Sequence, residues 1–224
     1  MLRSVAVLGV DGCPGGWVGA EVTGRRVRWH FAAGGAVAEL LERDVDAVGI
    51  DMPIGLPAAG TRPCDRAARR QLGRARSSAF FAPPRAVLTA ATHAEAVTMA
   101  RDRGAPGLSI QAWHIVARIT EVDRWITPER QRKVVEVHPE LSFRRLDPRV
   151  VEPKRTARGA GQRIRALTGP YEVGDLAELP PGVPLADALD ALAAAWSADR
   201  HRTGAAAVLG GDRDATGLRM EIRV

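Results

Sequence analysis

Cysteine is scarce in this chain: Cys13 and Cys64 are the only two among 224 residues. Two isolated thiols make no disulfide framework, and without a C-x-x-C pair they do not point to a structural zinc site. Long apolar runs are missing as well. Nothing approaches the roughly 20 consecutive apolar residues that a membrane span needs, so a membrane is not an expected partner. One arginine, a short strand-like run and then an aspartate do not read as a signal peptide, and a cytoplasmic protein is expected. No internal repeat and no low-complexity linker interrupts the pattern. Lysine is nearly absent too: of 32 cationic residues only Lys133 and Lys154 are lysines. Phenylalanine is limited to Phe31, Phe80, Phe81 and Phe143, which argues against extensive stacking on nucleobases.

What is present is the composition of an ordinary globular protein, 46% hydrophobic and 26% charged, with a net charge of +6. The arginine excess has two readings. One is a bias of base composition; the other is phosphate recognition, which suits the planar guanidinium fork.

The pattern along the chain alternates strands and helices. Residues 3–10, 17–23 and 26–33 read as three successive strands joined by the glycine-bearing turns GCPGG and TGRR, an antiparallel meander. A short helix is expected over 36–43, then a buried apolar strand over 45–51. Residues 53–91 are irregular, rich in proline and arginine, with a helix at about 63–73. A helix over 93–104 ends at Gly104, and Ser109 caps a longer one with Ala112, Ile115, Ile119, Val122 and Ile126 at helical spacing. A fifth strand is expected over 133–138, with Pro139 opening a helix. Helices over 157–168 and 185–202 follow, and GLRMEIRV closes as a strand. The order predicts one α/β domain with a mixed sheet, spanning 1–224 and carrying an insertion over about 53–91.

Three strands end in acids. Asp11 and Asp51 each follow a glycine two residues back, Gly9 and Gly49, on the same strand face. Each aspartate therefore has a bare patch beside it that another group can approach. The fifth strand ends in EVHPE, where Glu136 and His138 share a face and Val135 and Val137 take the other. A lone aspartate in such a place is usually a turn or cap residue. Three adjacent strand ends would instead gather repelling charges that need a cation, and Mg²⁺ or Mn²⁺ prefers carboxylate oxygens. The late helix PLADALDALAAAW adds Asp187 and Asp190 together on one face, opposite a stripe of Leu185, Leu189, Leu192 and Trp196. Ala191 and Ala194 flank the pair where a wet face would carry charge, so the helix reads as buried on both sides.

After Asp51 comes a basic segment. Arg62, Arg66, Arg69 and Arg70 fall on one helical face; Arg74, Arg76 and Arg85 follow, with Ser77 and Ser78 as small donors. Arginines near Phe80 and Phe81 suit nucleic acid. The bland alternative is a solvated helix with buried phenylalanines.

The strings GVDGCPGGW, IDMPIGLP, CDRAARRQLG, SSAFFAPPR, QAWHI, EVHPELSF, DALDALAAAW and GLRMEI, in that order over about residues 5 to 222, resemble the domain of unknown function 429 family. That family is regarded as predicted nucleases of the RNase H-like superfamily. The resemblance implies a five-stranded sheet of three antiparallel then parallel strands, flanked by helices, with a helical or irregular insertion after the fourth strand. It implies metal-binding acids at Asp11, Asp51 and Asp187, and the spacing of Asp187 and Asp190 is similar to that of Holliday-junction resolvases. Many relatives carry an extra acid before this pair, where this chain has Ala186.

The expected chemistry is phosphodiester hydrolysis assisted by two Mg²⁺ or Mn²⁺ ions. Asp11, Asp51, Glu136, Asp187, Asp190 and His138 are its candidate catalytic residues, with His138 as a proton shuttle. Arg62, Arg66, Arg69, Arg70, Arg76, Ser77, Ser78 and Arg85 are the candidate substrate contacts, with DNA and RNA both open as partners. Two other readings stand beside it. An actin or sugar-kinase type phosphotransferase shares the core, but there is no Walker A pattern and GCPGG lacks its lysine. A non-catalytic member would bind nucleic acid or protein through the arginine segment.

Overall fold

The structure, a computed structural model, describes residues 4–224. In chain order its principal elements are β1 (Ala6–Cys13), β2 (Gly16–Thr23), β3 (Arg26–Ala33), α1 (Ala38–Leu41), β4 (Ala47–Ile50), α2 (Pro63–Leu72), α3 (His93–Asp102), α4 (Ile110–Trp125), β5 (Val134–Glu136), α5 (Pro139–Leu146), α6 (Ala157–Thr168), α7 (Leu185–Arg202), β6 (Val208–Arg213) and β7 (Arg219–Arg223). They fall into two compact units. One takes the chain up to Asp51, then Lys133–Ala207 and Arg223–Val224; the other takes Met52–Arg132 and Val208–Ile222. The second unit thus begins where the arginine-rich insertion was expected, runs on through α4, and includes the β6–β7 hairpin.

The first unit is built on a five-stranded sheet in the order β3-β2-β1-β4-β5. β1, β2 and β3 pair antiparallel, whereas β4 and β5 run parallel to β1. This mixed α/β sheet flanked by helices is the expected architecture and is consistent with an RNase H-like fold. Burial along each strand follows its place. β1 is covered on both faces and reads as a nearly unbroken apolar run. Edge strand β3 alternates exposed and buried positions. Residue 3 of the first expected strand lies outside the described residues. At its other end β1 runs past residue 10 to Cys13, because a two-residue turn, Pro14 and Gly15 (φ +78°), closes the hairpin with Cys13 opposite Gly16. Gly15 is therefore accounted for by the hairpin turn, and Gly16 by the Ala32 carbonyl oxygen of β3, 2.0 Å from where its Cβ would stand.

Helix α7 lies across β1 and β4. Its buried residues run all round: Leu189 and Leu192 on one side, Asp190, Ala191 and Ala194 on the other. Gly9 and Gly49 are direct partners in the β1–β4 register. A Cβ on Gly9 would stand 1.9 Å from the Ala191 carbonyl oxygen, and one on Gly49 2.4 Å from that of Ala194. The bare patch predicted beside the two aspartates is the seat of α7, with helix backbone directly against sheet. Helices α5 and α6 complete the layer, and Ser142 and Ser197 share a buried 2.7 Å hydrogen bond.

In the second unit, Pro63 opens α2, Thr92 caps α3 by accepting from Glu95 N, and Ser109 caps α4 by accepting from Ala112 N. Val87, Ala96, Ala100, Leu108, Ala112 and Val116 form a small core. Val116 occupies the buried position on α4 where Ile115 was expected; Ile115 is only half-buried. Strand β6 has no counterpart in the sequence reading. Its sequence VLGGDR is mostly exposed, and Gly210 and Gly211 both have positive φ, so the apolar alternation that marks a strand is missing. Among the described residues no helix is long and apolar enough to cross a membrane.

Candidate metal centre

Parallel pairing of β1 with β4 stops at Val10 and Ile50. The next residue of each strand is an aspartate, and Asp51 N still donates to the Val10 carbonyl at 2.9 Å. Asp11, still paired with Val18 of β2, and Asp51 thus lie side by side where the β1–β4 pairing ends, on the face that carries Gly9 and Gly49. That face holds α7, so the helix brings its own acids to the same place. One carboxylate oxygen from each of Asp11, Asp51 and Asp190 lies within 4.8 Å of the others. Asp11 and Asp190 are buried and Asp51 is half-buried.

The third member of this tight group is Asp190, where the family pattern assigned Asp187. Asp187 sits one turn earlier on α7, half-buried, and acts on all three carboxylates through its charge. Glu136 lies outside the group for a geometric reason. Val135 and Val137 pack against Ala194 under α7, so strand alternation sends Glu136 from the opposite face. It is buried, and its charge still reaches Asp51. His138 is the N-cap residue of α5, with its carbonyl accepting from Leu141 N and Ser142 N.

Crowding of like charge shapes the protonation of the site. Burial, then the charges of Asp51 and Asp190, push the Asp11 carboxyl well above its usual range. Burial first, then Asp190, Glu136 and Asp187, raise Asp51 to about 8. Asp190 is raised by burial and by Asp187. A cation opposes these effects: Lys154 Nζ lies 2.5 Å from Asp190 Oδ2. Burial alone would lower Lys154, but Asp190, Asp11 and Asp51 raise it overall, so its ammonium stays charged. Buried Arg163, paired with Glu140 at 2.6 Å, adds a second, more distant positive charge toward Asp190. Neither cation was singled out from the sequence as a site residue. For Lys154 a signal existed, since it is one of only two lysines in an arginine-rich chain.

Three oxygen donors in mutual reach, partly desolvated and holding protons above their ordinary range, suit a hard divalent cation such as Mg²⁺ or Mn²⁺. A bound dication would displace those protons and relieve the repulsion. Water alone solvates such a cluster poorly, because Asp11 and Asp190 are buried.

The candidate substrate contacts all lie in the second unit, and they divide by environment. Arg62 is buried: its guanidinium contacts the Asp65 carboxylate and the carbonyls of Ile54 and Gly55, while Asp65 also accepts from Ala82 N. As the residue preceding α2, it leaves the helical face on which Arg66 and Arg70 are displayed. Arg85 joins Asp123 and Asp214 in ion pairs. Arg69 donates to the carbonyls of Arg76 and Ala79 and stacks over Phe81 at 4.7 Å. These three brace the fold of their own unit. Arg66, Arg70, Arg76, Ser77 and Ser78 are exposed, as is Phe80, although Arg66 also contacts Thr61.

A family model described as a protein of unknown function (DUF429) matches residues 9–215, and the chain belongs to that family. No curated protein and no solved structure matches it.

Proposed function

We propose that this chain is a divalent-metal-dependent nuclease that hydrolyses phosphodiester bonds of nucleic acid. The observation that carries this reading is the convergence of Asp11, Asp51 and Asp190, whose oxygens lie within 4.8 Å of one another, two where the parallel β1–β4 pairing ends and one on the helix across it. Asp11, Asp51 and Asp190 would hold Mg²⁺ or Mn²⁺. When bound, such an ion supplies Lewis-acid charge to a phosphoryl oxygen and acidifies water near neutral pH.

The chain's own groups do the rest. The three carboxylates fix the position of the charge and do not attack phosphorus themselves. Asp187 and Glu136 deepen the negative field that draws a dication in. Water oxygen forms the new bond to phosphorus and gives up a proton, the bond from phosphorus to the 3′ oxygen breaks, and that oxygen takes up a proton. His138 is the candidate to carry the proton. Exposed Arg66, Arg70, Arg76, Ser77 and Ser78 provide donors for backbone phosphates without sequence readout.

The test is a Mg²⁺- and Mn²⁺-dependent cleavage panel on single-stranded, duplex and branched DNA and on RNA, with Asp11→Asn and Asp190→Asn as controls. Metal-dependent cleavage lost in both variants is the expected result. Equal cleavage by wild type and Asp11→Asn would mark a contaminant and sink the assignment. Nucleic-acid binding with no cleavage under any metal would replace it with the non-catalytic reading.

A further inference from the structure

The loop between α5 and α6 is built to hold one lysine in place. Ahead of Lys154, Gln162 Oε1 accepts from Val151 N at 3.1 Å and from Glu152 N at 3.0 Å, and Arg163 donates to the Glu152 carbonyl at 2.9 Å. Behind it, Thr156 N and Oγ1 both donate to the Pro153 carbonyl, while the same hydroxyl accepts from Gly159 N to cap α6. Gly159 is itself required: a Cβ there would stand 2.0 Å from the Pro153 oxygen. Arg163, which clamps the loop from below, is buried and tied to Glu140. The Lys154 side chain is itself 40% exposed, so its ammonium is open to solvent while its backbone is held. The flexible side chain here starts from a fixed backbone and ends 2.5 Å from Asp190 Oδ2.

The position matters because a carboxylate that bridges two metal ions oxygen by oxygen needs both oxygens open. The ammonium already engages Oδ2 of Asp190. With their protons displaced by a bound dication, the three clustered carboxylates and this ammonium together carry two negative charges, the charge that one divalent ion neutralises. Asp187 and Glu136 fall outside the 4.8 Å group. The choice of residue is also informative: 30 of the 32 cationic residues are arginine, yet lysine stands here. A compact ammonium is a point charge with three rotatable donors, whereas a guanidinium presents a flat fork. After bonding Asp190, the ammonium keeps donors to offer a phosphate oxygen.

We infer that Lys154 is the resident second cation of this centre. It holds the Asp190 flank that a second ion would take, limits the three aspartates to one divalent ion, and presents positive charge to the substrate phosphate. The inference rests on the metal-dependent phosphodiesterase reading, which it modifies from two ions to one.

The experiment counts bound Mn²⁺ by calorimetry and electron paramagnetic resonance for wild type, Lys154→Ala and Lys154→Gln, beside cleavage rates at saturating metal. Circular dichroism checks that each variant is folded, and the glutamine variant keeps the side chain's length if the alanine variant fails. Wild type should bind one Mn²⁺ per chain and the variants two. Cleavage by the variants should fall about 100-fold in kcat with KM little changed, as for loss of one preorganised charge. Two ions on wild type, or one on all three proteins, would overturn the inference whatever the rates. The shift from one ion to two with no substrate cleaved by any protein would uphold Lys154 as the second cation of the centre and sink both its contact with substrate phosphate and the nuclease reading. No Mn²⁺ on wild type would end both.

Discussion

Gly9 and Gly49 face each other across the β1–β4 pair, and the backbone of α7 rests on both. That contact sets the height of α7 above the sheet. It is therefore what lets Asp190 reach Asp11 and Asp51, each two residues beyond one of the glycines.

Gly9→Ala should disturb this contact directly. The new methyl would fall 1.9 Å from the Ala191 oxygen, so helix or strand must move. Overpacking of this kind costs about 3 kcal/mol, readable as a shift of the urea midpoint. Mn²⁺ affinity should fall with it, because Asp190 rides on the displaced helix. Unchanged stability and metal affinity would show that α7 is not held by the glycine pair.

Metal-free protein should lose stability as pH rises toward 8. Folded Asp51 keeps its proton to about 8, against 3.8 for the ordinary residue. Between those values the folded state binds more protons than the unfolded one, so stability falls with rising pH. In EDTA the Tm should decline across this window, and Asp51→Asn should flatten the decline. Saturating Mn²⁺ should oppose it, since metal binding replaces the protons. Identical pH profiles for wild type and Asp51→Asn would contradict the assignment.

Arg62→Ala should act on stability. The change strands the buried Asp65 carboxylate, and breaking a buried pair on one side costs about 3–5 kcal/mol. Thermal or urea unfolding of the variant checks this. A Tm matching wild type would mean the pair is dispensable.

Arg70→Ala and Arg76→Ala should do the reverse. Both side chains are exposed, so Tm should stay within a few degrees. If they contact phosphates, each loss should reduce the slope of log affinity against log salt by about 0.7 to 0.9. Unaltered slopes would remove this segment from the nucleic-acid interface.

Much of the fold was legible because local signals agreed. Helices α6 and α7 match the expected spans, Pro139 and Ser109 open α5 and α4 as their chemistry dictates, and the meander follows from its turns. Strand β6 was not legible, since its two glycines and exposed polar residues carry no periodic apolar signal. Of the site, Asp11, Asp51 and Asp190 could be nominated, but sequence spacing alone could not rank Asp190 above Asp187. Lys154 lies 36 residues from its partner, beyond the reach of any local pattern. Arg62 read as a surface arginine because helical periodicity does not apply to the residue before the first turn.

By itself the sequence determined the element order apart from β6, the mixed sheet, and the Gly-x-Asp repeats that mark Asp11 and Asp51. These follow from alternation, helical period and turn chemistry, all of which act over a few residues. Tertiary structure decided which acids meet, which arginines brace the fold, and which cation faces the acids. Those outcomes depend on the backbone contact of α7 with two glycines and on a clamped loop between α5 and α6. Both are long-range packing events, and distance along the chain carries no record of them.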